Sequence, residues 1–104
     1  MKELSNTISL CMKAGKLALG FDAVVDAAFA GKARLIMITH DTAARTEKEI
    51  RYQCGEKTQI IEIPLSQVEV GYALPRRVGV MAVTDSGLAK KLLGIIERLK
   101  GEIA

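Results

Sequence analysis

The side chains best placed for chemistry in this 104-residue chain are cations. Arg76-Arg77 follow Leu74-Pro75 directly, and a loop stiffened by proline holds guanidinium forks well toward phosphate. Lys13 and Lys16 flank Ala14-Gly15 where the first helical pattern ends. Lys90-Lys91 lie on the polar side of the last helical pattern, where a solvated face is the simpler explanation. With 15 Lys and Arg against 12 Asp and Glu, the chain carries a net charge of +3. That balance permits a polyanionic partner without requiring one.

Catalytic and metal-binding patterns are thin. His40 is the only histidine, and His40-Asp41 follows an apolar run, where open α/β sheets often bind ligands. Ser5, Ser9, Ser66 and Ser86 are available as nucleophiles, but none sits in a Gly-x-Ser-x-Gly elbow. A turn residue followed by a helix cap explains His40-Asp41 more simply. Gly15-Lys16 and Gly31-Lys32 supply only the dipeptide of a phosphate-binding loop, with no Ser or Thr after it, and no Gly-x-Gly occurs. Cys11 and Cys54 form no Cys-x-x-Cys pair and read as small buried apolar residues in a reducing compartment. No catalytic residue, metal or cofactor is expected. The start of the chain lacks the apolar stretch of a signal peptide, and no apolar run approaches the roughly 20 residues needed to cross a bilayer. A cytoplasmic protein with no membrane partner is expected.

These residues must be held by a layered α/β domain, read as a single unit over 1–104. Leu4, Ile8, Cys11 and Met12 recur at helical spacing, and Gly15 can end that helix. Leu17-Ala18-Leu19 is a short extended candidate, and Gly20 breaks the chain after it. Phe21, Val25 and Ala28 form a second apolar stripe, with Asp22 in its first turn and Gly31 at its close. Leu35-Ile36-Met37-Ile38 reads as a strand covered on both faces. Asp41, Thr42 or Thr46 can cap the next helix, which Gly55 ends. Gln59–Ile63 is a second strand, closed by Pro64. Ser66-Gln67-Val68-Glu69 is a capping box with Leu65 and Val70 as its hydrophobic staple. That helix must be short, because Pro75 disfavours a helical Leu74. Val78–Thr84 is a third strand. Leu88, Leu92, Ile95, Ile96 and Leu99 then form the strongest amphipathic stripe. Three strands each followed by a helix predict parallel neighbours with helical crossovers on both faces.

In order and spacing, several fragments together resemble the ribosomal protein L7Ae/L30e superfamily, nearest its small bacterial YlxQ-like branch. They are Gly15-Lys16-Leu17, Gly20, Gly31-Lys32-Ala33-Arg34-Leu35, the strand running into Asp41, Glu69-Val70-Gly71 and Val83-Thr84-Asp85-Ser86-Gly87. The resemblance implies an α/β/α sandwich around a small mixed sheet of about four strands, with Leu17-Ala18-Leu19 as the extra strand. It implies RNA binding of the kink-turn type, as a non-enzymatic and ribosome-associated protein. The partner would be kink-turn or ribosomal RNA, with a ribosomal or other protein as a further partner. Carried over by position, the start of the second helix (Gly20, Phe21, Asp22, Asp26) would enter the bend. Leu74 and Pro75 would touch a base, and Lys13, Lys16, Arg76 and Arg77 would neutralise backbone.

The same resemblance exposes departures. Kink-turn binders usually carry an Asn-Glu pair at the helix start and a Lys one turn later, and here Asp22, Ala23 and Asp26 occupy those places. Ala23 cannot accept a hydrogen bond from a guanine edge, and Asp26 puts an anion where a cation is expected. Asp22 and Asp26 are four residues apart on one helical face. Pairing with Arg76 or Arg77 would account for both acids in structural terms. A protein-interaction module on the same fold that has lost RNA binding is the alternative function.

Overall fold

The continuous apolar run at Leu35–Ile38 forms the centre of the molecule. In the computed structural model, which describes residues 2–103, the chain runs α1 (Lys2–Lys13), β1 (Leu17–Leu19), α2 (Phe21–Phe29), β2 (Leu35–Thr39), α3 (Ala44–Cys54), β3 (Ile60–Ile63), α4 (Gln67–Ala73), β4 (Val80–Val83) and α5 (Ser86–Ile103). The four strands form one sheet in the order β1-β4-β2-β3. Both inner strands, β2 and β4, are buried at every residue.

The sheet is mixed. β2 and β3 are parallel, with Ile36 opposite Ile60, whereas β4 runs antiparallel to both β2 and β1. The mixed sheet of four strands is the one the family resemblance implies; strand–helix alternation alone favours parallel neighbours, and β4 departs from that. The connection from α4 to β4 stays at one end of the sheet, so β4 returns in the opposite direction and needs no crossover. Three strands were legible from apolar runs. β1 is only three residues long and half-buried, which is why its apolar signal was weak.

Alternation along the strands builds two cores. Leu35, Met37, Met81 and Val83 face one side, where α1, α4 and α5 contribute Leu4, Ile8, Cys11, Val70, Leu92 and Ile96. Ile36, Ile38, Val80 and Ala82 face the other side, against Val24 and Ala28 of α2 and Ile50 and Cys54 of α3. Each fully buried Leu or Ile contributes about 1.5–3 kcal/mol relative to exposure, so both layers are needed to hold the sheet. The buried line of α2 is Val24 and Ala28; Phe21 and Val25 are only half-buried and Phe29 is 57% exposed. The two cysteines are buried on opposite sides of the sheet and unpaired. Burial pushes both thiols above their ordinary range, with Asp85 adding to the effect at Cys11, so they stay protonated and inert.

Local signals set the element ends. Ser66 and Glu69 form the expected capping box, and Leu65 and Val70 are both buried beneath it. Asp85 accepts from the Leu88 N–H and so caps α5. The start of α3 differs from expectation, since its N-cap is Ala43 and no side chain caps it. Asp41 and Thr42 are used elsewhere, at the site described next. No helix among the described residues is long and apolar enough to cross a membrane.

Candidate nucleic-acid interface

Because β1, β2 and β3 run together and β4 runs against them, the connections sort into two ends of the sheet. One end gathers Gly20, the β2–α3 loop, the β3–α4 loop and the α4–β4 loop. The other gathers the α1–β1, α2–β2, α3–β3 and β4–α5 turns.

At the first end the chain leaves β1 through Gly20, whose N–H donates to the Val80 carbonyl at 3.0 Å and whose carbonyl accepts the first helical bond, from Val24. Its φ of 90° and ψ of 167° form a backbone conformation open essentially to glycine alone. A Cβ there would lie 3.1 Å from Nη2 of Arg76. No side chain caps the start of α2, so its first-turn amides face outward with their partial positive charge.

Arg76 closes the arrangement. Its Nη2 donates to the Leu19 carbonyl at 2.8 Å, tying together segments 57 residues apart. Arg77 and Val78 border a cleft of about 320 Å³ whose other walls include Gly20, Phe21, Thr42 and Gln67. Thr42 is the pin of this cleft. Its Oγ1 donates to the Gly79 carbonyl at 2.9 Å and lies 2.7 Å from the Thr39 hydroxyl. A Cβ on Gly79 would stand 2.5 Å from that same Oγ1, so the close approach requires glycine. Asp41 latches the neighbouring helix, its Oδ1 accepting from the Gln67 N–H at 3.0 Å. Desolvation raises the Asp41 carboxyl, but hydrogen bonds from the Thr39 side chain and the Gln67 backbone outweigh it and hold the group below its ordinary range.

The structure brings Gly20, Phe21, Asp22, Pro75, Arg76 and Arg77 to one ledge, with Asp26 further along the exposed side of α2. Three expectations need correction. Leu74 is only 5% exposed and belongs to the core, so it cannot meet a base; as the C-cap of α4 it anchors the loop while Pro75 is exposed. Lys13 and Lys16 lie at the opposite end of the sheet. The Lys16 carbonyl accepts from the Thr84 N–H, whereas Gly20 pairs with Val80, and the intervening strand separates them by about 13 Å. Asp22 and Asp26 form no ion pair with Arg76 or Arg77; the pairs found among the described residues are Arg51–Glu47 and Arg98–Glu3. The Arg76 guanidinium donates to the fixed Leu19 carbonyl instead.

Thr42, Gln67 and Gly79 entered the site unforeseen. Only Gly79 left a trace in the sequence, as a glycine inside a strand-like run. His40 is exposed and its neighbour Asp41 is engaged with α4, which gives a catalytic reading nothing to build on. Among the described residues no group of three His, Cys, Asp or Glu is placed to hold a metal.

The same chain matches known proteins over nearly all of its length. It is 30% identical to the RNA-binding protein YlxQ of Bacillus subtilis over 95 residues, covering 86% of this chain and 91% of that protein. It is 31% identical to the large ribosomal subunit protein eL30 of Branchiostoma belcheri, covering 98% and 92%. A Bacillus halodurans protein of unknown function shares the fold, with a TM-score of 0.85 at 23% identity over 93% of this chain and 99% of that one. The sequence profile of the ribosomal protein L7Ae/L30e/S12e/Gadd45 family matches residues 2–93. Two layers of helices around a β1-β4-β2-β3 sheet and a sequence that matches from α1 into α5 lead to one assignment: the chain belongs to the ribosomal protein L7Ae/L30e/S12e/Gadd45 family, in its YlxQ-like branch.

Proposed function

We propose that this protein is a non-enzymatic, ribosome-associated RNA-binding module whose ledge at Gly20, Phe21, Asp22, Pro75, Arg76 and Arg77 receives a bent RNA backbone. The observation that carries this reading is the Arg76 bond to the Leu19 carbonyl. It places a guanidinium beside the uncapped start of α2, and both offer donors to phosphate. The named functions of the relatives support the same reading.

Recognition of a kink-turn is altered in this chain. Ala23 offers no acceptor for a base edge, and Asp22 and Asp26 are both exposed on α2 and unpaired with Arg76 or Arg77. A missing bidentate base contact costs about 1–3 kcal/mol, and the two acids oppose phosphate in a salt-dependent way. The ledge therefore binds a kink-turn more weakly than a ledge with the usual residues would.

Salt-titrated binding to a kink-turn RNA and to a straight duplex of equal length tests the reading. The kink-turn should bind more tightly, and the triple variant Asp22→Asn, Ala23→Glu, Asp26→Lys should strengthen it about tenfold or more. Equal affinity for both RNAs, unchanged in the triple variant, would remove the ledge as the site. No binding to either RNA at low salt would favour a protein partner instead.

A further inference from the structure

The turns at the far end of the sheet, 13–16, 30–34, 55–59 and 84–85, hold five cations and two acids, Glu56 and Asp85. That excess equals the whole net charge of +3. The cations are Lys13, Lys16, Lys32, Arg34 and Lys57, all exposed. None of them has an acidic partner within salt-bridge distance among the described residues. The backbone fixes their order across the sheet. Lys16 precedes β1 and accepts from Thr84, Arg34 precedes β2 and donates to the Val83 carbonyl, and Thr58, next to Lys57, donates from its hydroxyl to the Ala33 carbonyl. Four neighbouring strands span about 14 Å, so these charges form a row along one edge of the molecule.

Part of this charge has a structural role. A lysine in the last turn of a helix complements its dipole, which accounts for Lys13 at the end of α1. Lys16 and Arg34 lie beyond the helix ends, at the heads of strands, where that role does not apply. Arg34 and Lys90 of α5 also border a common cleft of about 230 Å³, which extends the row toward α5. Cations dominate the row, whereas protein partners use apolar anchors. One exposed aromatic ring, Phe29, lies beside it, with the Lys57 ammonium 4.9 Å from its centroid. A row of cations matches a phosphate backbone, read by charge and without base contacts.

We propose that the far-end row of Lys16, Arg34 and Lys57 is a second nucleic-acid contact that grips the backbone of double-stranded RNA. The ledge and the row would then hold two RNA segments on opposite ends of one sheet. The proposal rests on the reading above only for the kind of nucleic acid.

A straight RNA duplex of about 16 base pairs, labelled for fluorescence anisotropy, isolates the row from any preference of the ledge for bent RNA. Binding is measured from about 50 to about 200 mM salt for the unaltered protein, for K16Q/R34Q/K57Q and for R76Q/R77Q. The row triple should lose about tenfold or more in duplex affinity at the lower salt, and its log–log salt slope should flatten by about 2–3. R76Q/R77Q should lose less duplex affinity than the row triple and flatten the salt slope by less. All five substituted side chains are exposed, and matching circular-dichroism melts would check that each variant folds. Unchanged affinity and slope in the row triple, a loss confined to R76Q/R77Q, or no duplex binding by the unaltered protein would each overturn the proposal. A failed kink-turn preference would leave these outcomes unaffected.

Discussion

At one end of the sheet Arg76 is tied to the Leu19 carbonyl and Asp41 to the Gln67 amide. At the other, Lys16, Arg34 and Lys57 have no acidic partner among the described residues. The ledge end fixes Arg76 and Asp41 with directional bonds to backbone. The far end has more cations, exposed and without acidic partners among the described residues. A fixed donor set defines a shape, as recognition of a bent backbone requires. A solvated row creates a field that falls off with salt and does not discriminate sequence. The contrast also corrects a tempting inference from net charge, because the excess of cations does not sit on the ledge that the family resemblance singles out.

The largest effect that separates the ends is on stability. Leu74→Ala should destabilise the protein by about 2–5 kcal/mol in urea unfolding, because it opens the core under the ledge loop. Each substitution of the exposed row triple should change stability by only about 0.5 kcal/mol. A Leu74→Ala variant of unaltered stability would return Leu74 to the surface and reopen its role toward bases. Next in size, Gly20→Ala should cost about 1–3 kcal/mol through its positive φ, and its Cβ would press on the Arg76 guanidinium. Kink-turn binding should fall while straight-duplex binding holds within about twofold. A parallel fall of both would show that the two ends do not act separately. The smallest effect is a pH dependence confined to the ledge. The lowered Asp41 carboxyl lends stability that is fully present above the ordinary carboxylate range, roughly pH 4, and is lost as pH falls through the depressed value. Asp41→Asn should remove that component from urea midpoints measured between about pH 5 and pH 2. An identical acid limb in the variant would assign it to other carboxylates.

Much of this architecture was legible residue by residue. Ser66 and Glu69 announced α4, the stripe ending at Leu99 announced α5, and the apolar run at Leu35 announced a strand buried on both faces. Local chemistry decides each of these, whatever the rest of the chain does. Leu74 was misread because a leucine beside proline in a loop carries no periodicity to show which way it turns. Thr42 was read as a helix cap, a role its type favours, and was diverted by Gly79, 37 residues away.

Caps, breakers and periodic burial act over a few residues, so most helices and strands are legible in the amino-acid order, while the start of α3 is not and the short β1 is only weakly so. The family resemblance added the kind of sheet and the helix start to watch. The reversal of β4 against its neighbours is a product of packing, and it sorts every loop to one end or the other. Arg76 therefore meets Leu19, and Lys16 does not join them. The physical reason is that side-chain type sets what a group can bond, while strand direction sets what lies within reach.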